Sequence, residues 1–357
     1  MFKKIILVFF VCLIIASSVL YYISDISEYL CENRTINILI VIEGNKVTCP
    51  DTLKFFLCQY SPKTKRIQLL FINENITILQ KKLKSRTLKE LFYIEKENNR
   101  INFIQEEICK LFKNTLDIDY YIYSDTDSLN SFLKLFNETE VNNLFGNDFL
   151  KNILNNRNYL NNIVMNIKII KYMIINFNRS MIVDVIKFFK NKNIEISTNF
   201  KLIDCVPIGR IIKNINIKDI IFVDIPTVMR RNRIEIDTLS FDKVIEILNS
   251  DFMQEHTDKV NLKVLNASNK SRLADKAVNM LRQNSFDVFY WGNESQKNNF
   301  TIILDLINNH EKSSQIVDIL GCGEVLVVPN PKPFADMTVL LGNDCILYDK
   351  LDKIQKK

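Results

Sequence analysis

Asn261-Leu-Lys-Val-Leu-Asn266-Ala-Ser-Asn-Lys-Ser-Arg-Leu273-Ala274, followed by Phe286-Asp-Val-Phe-Tyr-Trp-Gly292-Asn293, Thr301-Ile-Ile303 and Ala335-Asp336-Met-Thr338-Val-Leu-Leu341-Gly342-Asn-Asp344, is the stretch that decides the fold class. Leu262–Leu265 reads as a short strand, and the spacing of Leu273, Ala277 and Leu281 within 268–284 is that of one helix face. Strands are expected at 286–290 and 300–304, a helix at 310–319, and strands at 325–328 and 338–341. The result is a βαββαβ unit with one extra strand, a small two-layer α/β module.

Upstream, the region 36–250 opens on Ile36-Asn37-Ile-Leu-Ile-Val-Ile42, a nearly continuous apolar run that suits a strand buried on both faces. A second strand at 52–58 leads through the turn Ser61-Pro62-Lys63-Thr64-Lys65 to a third at 67–72. Helical stretches at 106–112 and 129–136 flank a strand-like 119–123. A long helical zone over 150–191, further short strands and a helix at 241–248 complete the region. Such alternation over some two hundred residues means an α/β sandwich. The polar segment Asn249–Asp258 reads as a hinge to a separately folded module at 259–346, with 347–357 as a tail.

At the N-terminus Lys3 and Lys4 precede an uncharged run from Ile5 to Ser24. Twenty helical residues rising about 1.5 Å each span the roughly 30 Å hydrocarbon core of a membrane. A cleaved signal peptide is the competing reading, disfavoured by the length of the run and by Tyr21 and Tyr22, which suit interfacial anchoring. We therefore expect a signal-anchor helix at 5–24, a single pass through the cytoplasmic membrane with the N-terminus inside, and the chain from Asp25 onward outside the cytoplasm.

A net charge of +6 without a dense basic block argues weakly for contact with anionic polymer or lipid headgroups and against nucleic acid as partner. Cys12 lies in the apolar run and seven cysteines follow it, with no C-x-x-C pair, so zinc-ribbon and thioredoxin readings fall away. The only histidines, His256 and His310, are far apart, and no glycine-rich phosphate loop is present. Trp291 beside Gly292-Asn293 reads as a packing aromatic at a strand end, with stacking on a sugar ring as the alternative.

The order of the C-terminal pieces, with "VLN" opening, "LA" on the first helix and "DMTVLLGND" closing, resembles the C-terminal domain of LytR-type cell-envelope proteins. The upstream region resembles the LytR-CpsA-Psr catalytic domain at Asn37–Glu43, at Pro50-Asp51-Thr52-Leu53, from Ser61 through Asn75, and at Ile118–Ile122. The resemblance implies a three-layer α/β sandwich. It further implies a Mg²⁺-dependent phosphotransferase that moves a polyprenyl-diphosphate-linked glycopolymer onto peptidoglycan. Acidic side chains would hold the metal and arginines would grip the pyrophosphate. Carried onto this chain, the metal residues are Glu43 and Asp51, and the catalytic residues are Asp51 and Arg157.

The departures from that pattern are as informative. Glu43 stands where the family has its first Asp, Glu74 where it has an arginine, and Asn75 where it has an acid. Arg157 alone survives of a later paired-arginine motif. A reversed charge about 4 Å from a phosphate oxygen costs several kcal/mol at an effective dielectric near 20, roughly a thousandfold in rate. Basic residues that could compensate include Lys54, Arg157, Arg210, Arg230 and Arg231. Two readings follow: a weak or inactive relative, a pseudoenzyme acting in cell-wall binding or assembly, or an active phosphotransferase with glycopolymer, peptidoglycan and polyprenyl-phosphate lipid as partners. On either, protease added to spheroplasts digests the C-terminal segment; complete protection would contradict the membrane topology.

Overall fold

In the computed structural model, the residues described are 24–44, 53–78, 85–113, 115–133, 159–177, 196–249, 259–330 and 332–345, with 135, 184 and 347. The expected anchor at 5–24 lies outside them except for Ser24, as does the hinge, except for Asn249. Among the described residues no helix is long and apolar enough to cross a membrane.

The chain forms a mixed sheet with helices on both faces. Its first part contributes β1 (Ile36–Glu43), β2 (Leu53–Ser61), β3 (Arg66–Ile72), β6 (Tyr120–Asp125), β7 (Ile196–Thr198) and β8 (Ile220–Asp224). The 259–345 segment contributes β11 (Asn261–Asn266), β12 (Asp287–Asn293), β13 (Ile302–Asp305), β14 (Glu324–Val327) and β15 (Met337–Leu341). Their order across the sheet is β12-β11-β15-β13-β14-β8-β3-β2-β1-β6-β7. Two short ribbons lie outside it: β4 (Thr77–Ile78) with β5 (Arg86–Thr87), and β9 (Thr227–Arg230) with β10 (Arg233–Ile236).

The expectation of two separate sheets is corrected. β14 runs parallel to β8 and pairs with it at Val327 and Val223, so the strands of 259–345 extend the sheet begun at 36–250. Continuous apolar runs make this workable, because strands buried on both faces can accept helices on either side. In β2, Leu53, Phe55 and Leu57 point into one cluster and Phe56 into another; in β3, Leu70 and Ile72 alternate likewise with Leu69 and Phe71.

On the first face, α2 (Leu88–Ile94), α3 (Arg100–Leu111) and α7 (Thr238–Asn249) bury Leu91, Phe92, Ile104, Ile108, Phe241 and Val244. Further along this face α8 (Leu273–Gln283) and α9 (His310–Leu320) cover β11, β13 and β15. On the other face α5 (Tyr159–Asn176) sets Ile163, Val164 and Ile167 against Phe71 and Phe222 of the first part and Leu265, Ile302 and Leu340 of the second. Lys171 pairs with Glu324, and Lys168 with Asp344 at 3.6 Å. Each fully buried Ile or Phe contributes about 1.5–3 kcal/mol and several lie under α5, whereas each of the two partly buried ion pairs contributes about 1–2 kcal/mol at most. Packing under α5 therefore dominates the union of the two parts.

Three further α-helices are α1 (Asp25–Cys31), α4 (Thr126–Leu133) and α6 (Cys205–Asn214). The six described cysteines, Cys31, Cys58, Cys109, Cys205, Cys322 and Cys345, are free thiols.

One buried charge stands out. Asp305 ends β13 with no exposure, its Oδ1 accepts from the Ile307 amide at 3.2 Å, and its Oδ2 has no hydrogen-bond partner. Burial pushes its carboxyl from 3.8 up to about 6, offset in part by backbone N–H groups of Asn309 and Ile307. The folded state thus binds a proton more readily than the unfolded chain, and this group's contribution to stability falls as pH rises from about 4 to about 6, by roughly 3 kcal/mol. Asp305→Asn is expected to be more stable than wild type at pH 7, with the difference shrinking below pH 6 and levelling off near pH 4. Denaturant unfolding across that range checks it, and a pH-independent difference would contradict it.

Candidate functional site

β1 and β6 run parallel, as do β3 and β8, while β2 is antiparallel to both of its neighbours. The carboxyl ends of four strands and the start of β2 therefore share one sheet edge, the edge at which open α/β sheets hold their ligands. Residues at this edge are Glu43 (end of β1), Lys54 (β2, in register with Ile42), Asn73 and Glu74 (after β3), Asp125 (end of β6) and Asp224 (end of β8).

Glu43 is buried, and Tyr123 of β6 donates its hydroxyl to Glu43 Oε2 at 2.5 Å. The Tyr123 ring packs against Phe92 of α2, 6.2 Å between centroids, and this fixes the direction of the hydroxyl. The phenol replaces part of the hydration that this buried carboxyl group loses. Asp125 stands beside Glu43 in the β1–β6 register, but its Oδ1 is already bonded to the Ser128 amide at the start of α4.

Glu74 accepts from Lys54 Nζ at 2.7 Å, with both side chains mostly buried. Its backbone is held as well. The Lys89 amide bonds to the Glu74 carbonyl, the Leu88 amide to that of Ile76, and Asn73 Oδ1 accepts from the Asn75 amide. Glu74 is thus fixed by its backbone and neutralised by Lys54.

Asp51 and Arg157 lie outside the described residues, as does their relation to Glu43. Arg210 is exposed on α6, Arg230 ends β9, and Arg231 opens the two-residue turn to β10, where Arg231 and Asn232 take positive φ. The basic residues therefore sit on separate elements, apart from the adjacent Arg230 and Arg231. Among the described residues no group of three or more His, Cys, Asp or Glu side chains could hold a metal ion. A single carboxylate already engaged by a phenol is not a magnesium cage, although Mg²⁺ can be held by one or two carboxylates with water. Tyr123, Asp125 and Asp224 were missed from sequence. Their signal is faint, each being the last or near-last residue of a strand whose parallel partner had to be known first.

Comparisons with known proteins bear on each part differently. Residues 259–344 match the family described as "LytR cell envelope-related transcriptional attenuator". No curated protein matches the chain. Among solved structures, TagV of Bacillus subtilis is similar at 13% identity, covering 60% of this chain and 96% of that one, with a TM-score of 0.45. The transcriptional regulator yvhJ of Bacillus subtilis is similar at 15% identity, covering 60% and 96%, with a TM-score of 0.44. A structure of TagT bound to LIIa-WTA shows 9% identity, coverage of 60% and 89%, and a TM-score of 0.44.

The Lys54–Glu74 pair supplies a direct test. A double-mutant cycle with Lys54→Met and Glu74→Gln is expected to return a coupling energy of about 1–2 kcal/mol in denaturant unfolding, above the exposed-pair range because both groups are largely desolvated. A coupling near zero would mean that the two charges do not meet in solution.

Proposed function

We propose that this chain is an extracytoplasmic cell-envelope protein of the LytR-CpsA-Psr type, held in the cytoplasmic membrane by 5–24, whose 36–250 region no longer transfers phosphoryl groups. It acts instead in binding or assembling the cell wall, with glycopolymer or peptidoglycan as partner. The LytR C-terminal domain at 259–344 supports the envelope assignment. The sequence resemblance over 37–122 supports the type of upstream domain.

The observation that carries the loss of activity is the Lys54–Glu74 ion pair. Phosphoryl transfer is catalysed almost wholly by positioning and positive charge around the phosphates. Where the resemblance implies a cation, this chain has an anion whose charge is cancelled by Lys54, leaving the described residues of the strand edge with no net positive grip. Mg²⁺, if bound, would neutralise diphosphate charge; Glu43 and Asp51 are the residues that would hold it. The remaining functional groups at this edge act structurally: Tyr123 orients Glu43, and Asp125 holds the start of α4.

Full-length protein in detergent, given a polyprenyl-diphosphate lipid and Mg²⁺, is expected to release phosphate no faster than a buffer control. Release well above that control, abolished by Asp51→Ala, would establish the active phosphotransferase instead. Glu74→Arg, which restores the cation and leaves Lys54 unpaired, is expected to create measurable binding of that lipid.

A further inference from the structure

Two thiols of the 259–345 segment face each other. Cys322 follows α9, where Gly321 takes positive φ and closes the helix, and Cys345 follows β15. Both side chains belong to one core cluster, with Cys345 buried and Cys322 packed against it but partly open to solvent. The S–H of Cys322 donates to Cys345 Sγ. This contact, with burial adding to it, pushes the Cys322 thiol above its ordinary range, and the same contact draws Cys345 below it.

The backbone brings the two residues together independently of their thiols. β13 lies between β14 and β15, with Ile302 in register with Glu324 on one side and Leu340 on the other. One residue earlier, Thr301 anchors both flanks. Its carbonyl accepts from the Glu324 amide, its amide and hydroxyl donate to Asp344 Oδ1 at 2.7 and 2.8 Å, and its hydroxyl accepts from the Gly342 amide at 3.0 Å. Glycine permits this crowding, since a Cβ on Gly342 would meet the Phe300 carbonyl carbon at 2.2 Å. Disulfides are excluded where Cβ vectors diverge, whereas thiols that hydrogen-bond to each other have side chains that converge. The other four described cysteines lie on separate elements: Cys31 on α1, Cys58 in β2, Cys109 on α3 and Cys205 on α6.

The position gives such a bond a task. Glu324, two residues from Cys322, pairs with Lys171, and Asp344, beside Cys345, pairs with Lys168. The segments that the thiols would join are therefore the ones that meet the rim of α5.

We propose that Cys322 and Cys345 are a built site for an intrachain disulfide, made by exchange with a disulfide-bearing oxidant, which clamps together the two segments that hold α5. Cys322 is the member of the pair open to solvent, so its thiolate attacks one sulfur of the oxidant RSSR. The S–S bond of the oxidant breaks, Cys322–S–SR forms and RS⁻ leaves. The Cys345 thiolate then attacks the Cys322 sulfur and expels the second RS⁻. The two thiol protons pass to the two RS⁻, so the pair is oxidised by two electrons and the oxidant is reduced to two RSH. The inference goes beyond the proposed function. An extracytoplasmic compartment is the kind in which such bonds persist, yet the test supplies its own oxidant and does not depend on that assignment.

Full-length protein in detergent is incubated with excess oxidised glutathione or with a reductant, alkylated, and cleaved after Glu. Cuts after Glu311 and Glu324 separate Cys322, in 312–324, from Cys345, in 325–357, because no Glu follows 324. A linked pair of these peptides, two hydrogens lighter than their sum, is expected in the oxidised sample alone. Cys345→Ser, which removes the resolving thiol, is expected to trap glutathione on Cys322, whereas Cys322→Ser leaves Cys345 unmodified. The thermal midpoint of wild type is expected to rise by at least about 3 °C on oxidation, and that of neither variant to rise. Oxidised and reduced wild type are compared without any substitution, so a variant that fails to fold leaves the test intact. Both cysteines recovered alkylated after oxidation, or either linked to a different cysteine, would overturn the site. A linked pair without a rise in midpoint would overturn the clamp.

Discussion

The structure depends on one shared apolar surface, the sheet face beneath α5. Ile163, Val164 and Ile167 meet side chains from both parts of the chain, and removing that contact would expose strands on each side of the β8–β14 junction. A single residue pair, Val327 with Val223, joins the two sets of strands by backbone pairing, which is too little to hold them by itself. The several buried Ile and Phe side chains outweigh that pair and the two lysine–carboxylate contacts at the rim. The position of the strand edge bearing Glu43 and Glu74, relative to the far edge bearing Trp291, follows from that packing.

The same sheet edge accounts for how the described acids are engaged. At the ends of β1, β3 and β6, Glu43, Glu74 and Asp125 each have a local partner. Glu43 is tied to Tyr123, Glu74 to Lys54, and Asp125 to the start of α4. Charges satisfied internally have little left to offer a ligand, because a partner must first replace the contacts that are lost.

Much of this was legible in the sequence where local pattern and tertiary demand agree. Ile36–Ile42 read as a doubly buried strand because a continuous apolar run permits little else, and the structure extends it by one residue, Glu43. The mixed α/β class and the elements of 261–341 were legible for the same reason. α6 was not, since Pro207 and Gly209 argue against a helix, although proline is tolerated in a first turn. The merging of the sheets was hidden because strand neighbours across β8 and β14 are set by packing under α5, which no local period encodes. Glu74 was recognised as a departure from the family's pattern, but its partner was not. Lys54 lies twenty positions earlier and meets it only once β2 and β3 have paired.

The central claim, which belongs to the proposed function, is that among the described residues the Lys54–Glu74 pair leaves the strand edge without net positive charge and so without a grip on a diphosphate. Isothermal calorimetry of the full-length protein in detergent with geranyl diphosphate, with and without Mg²⁺ and at low salt where charge effects are largest, reads that claim directly. The account predicts no saturable heat up to millimolar ligand in wild type. Saturable binding in the micromolar range, about 8 kcal/mol of affinity, would contradict it.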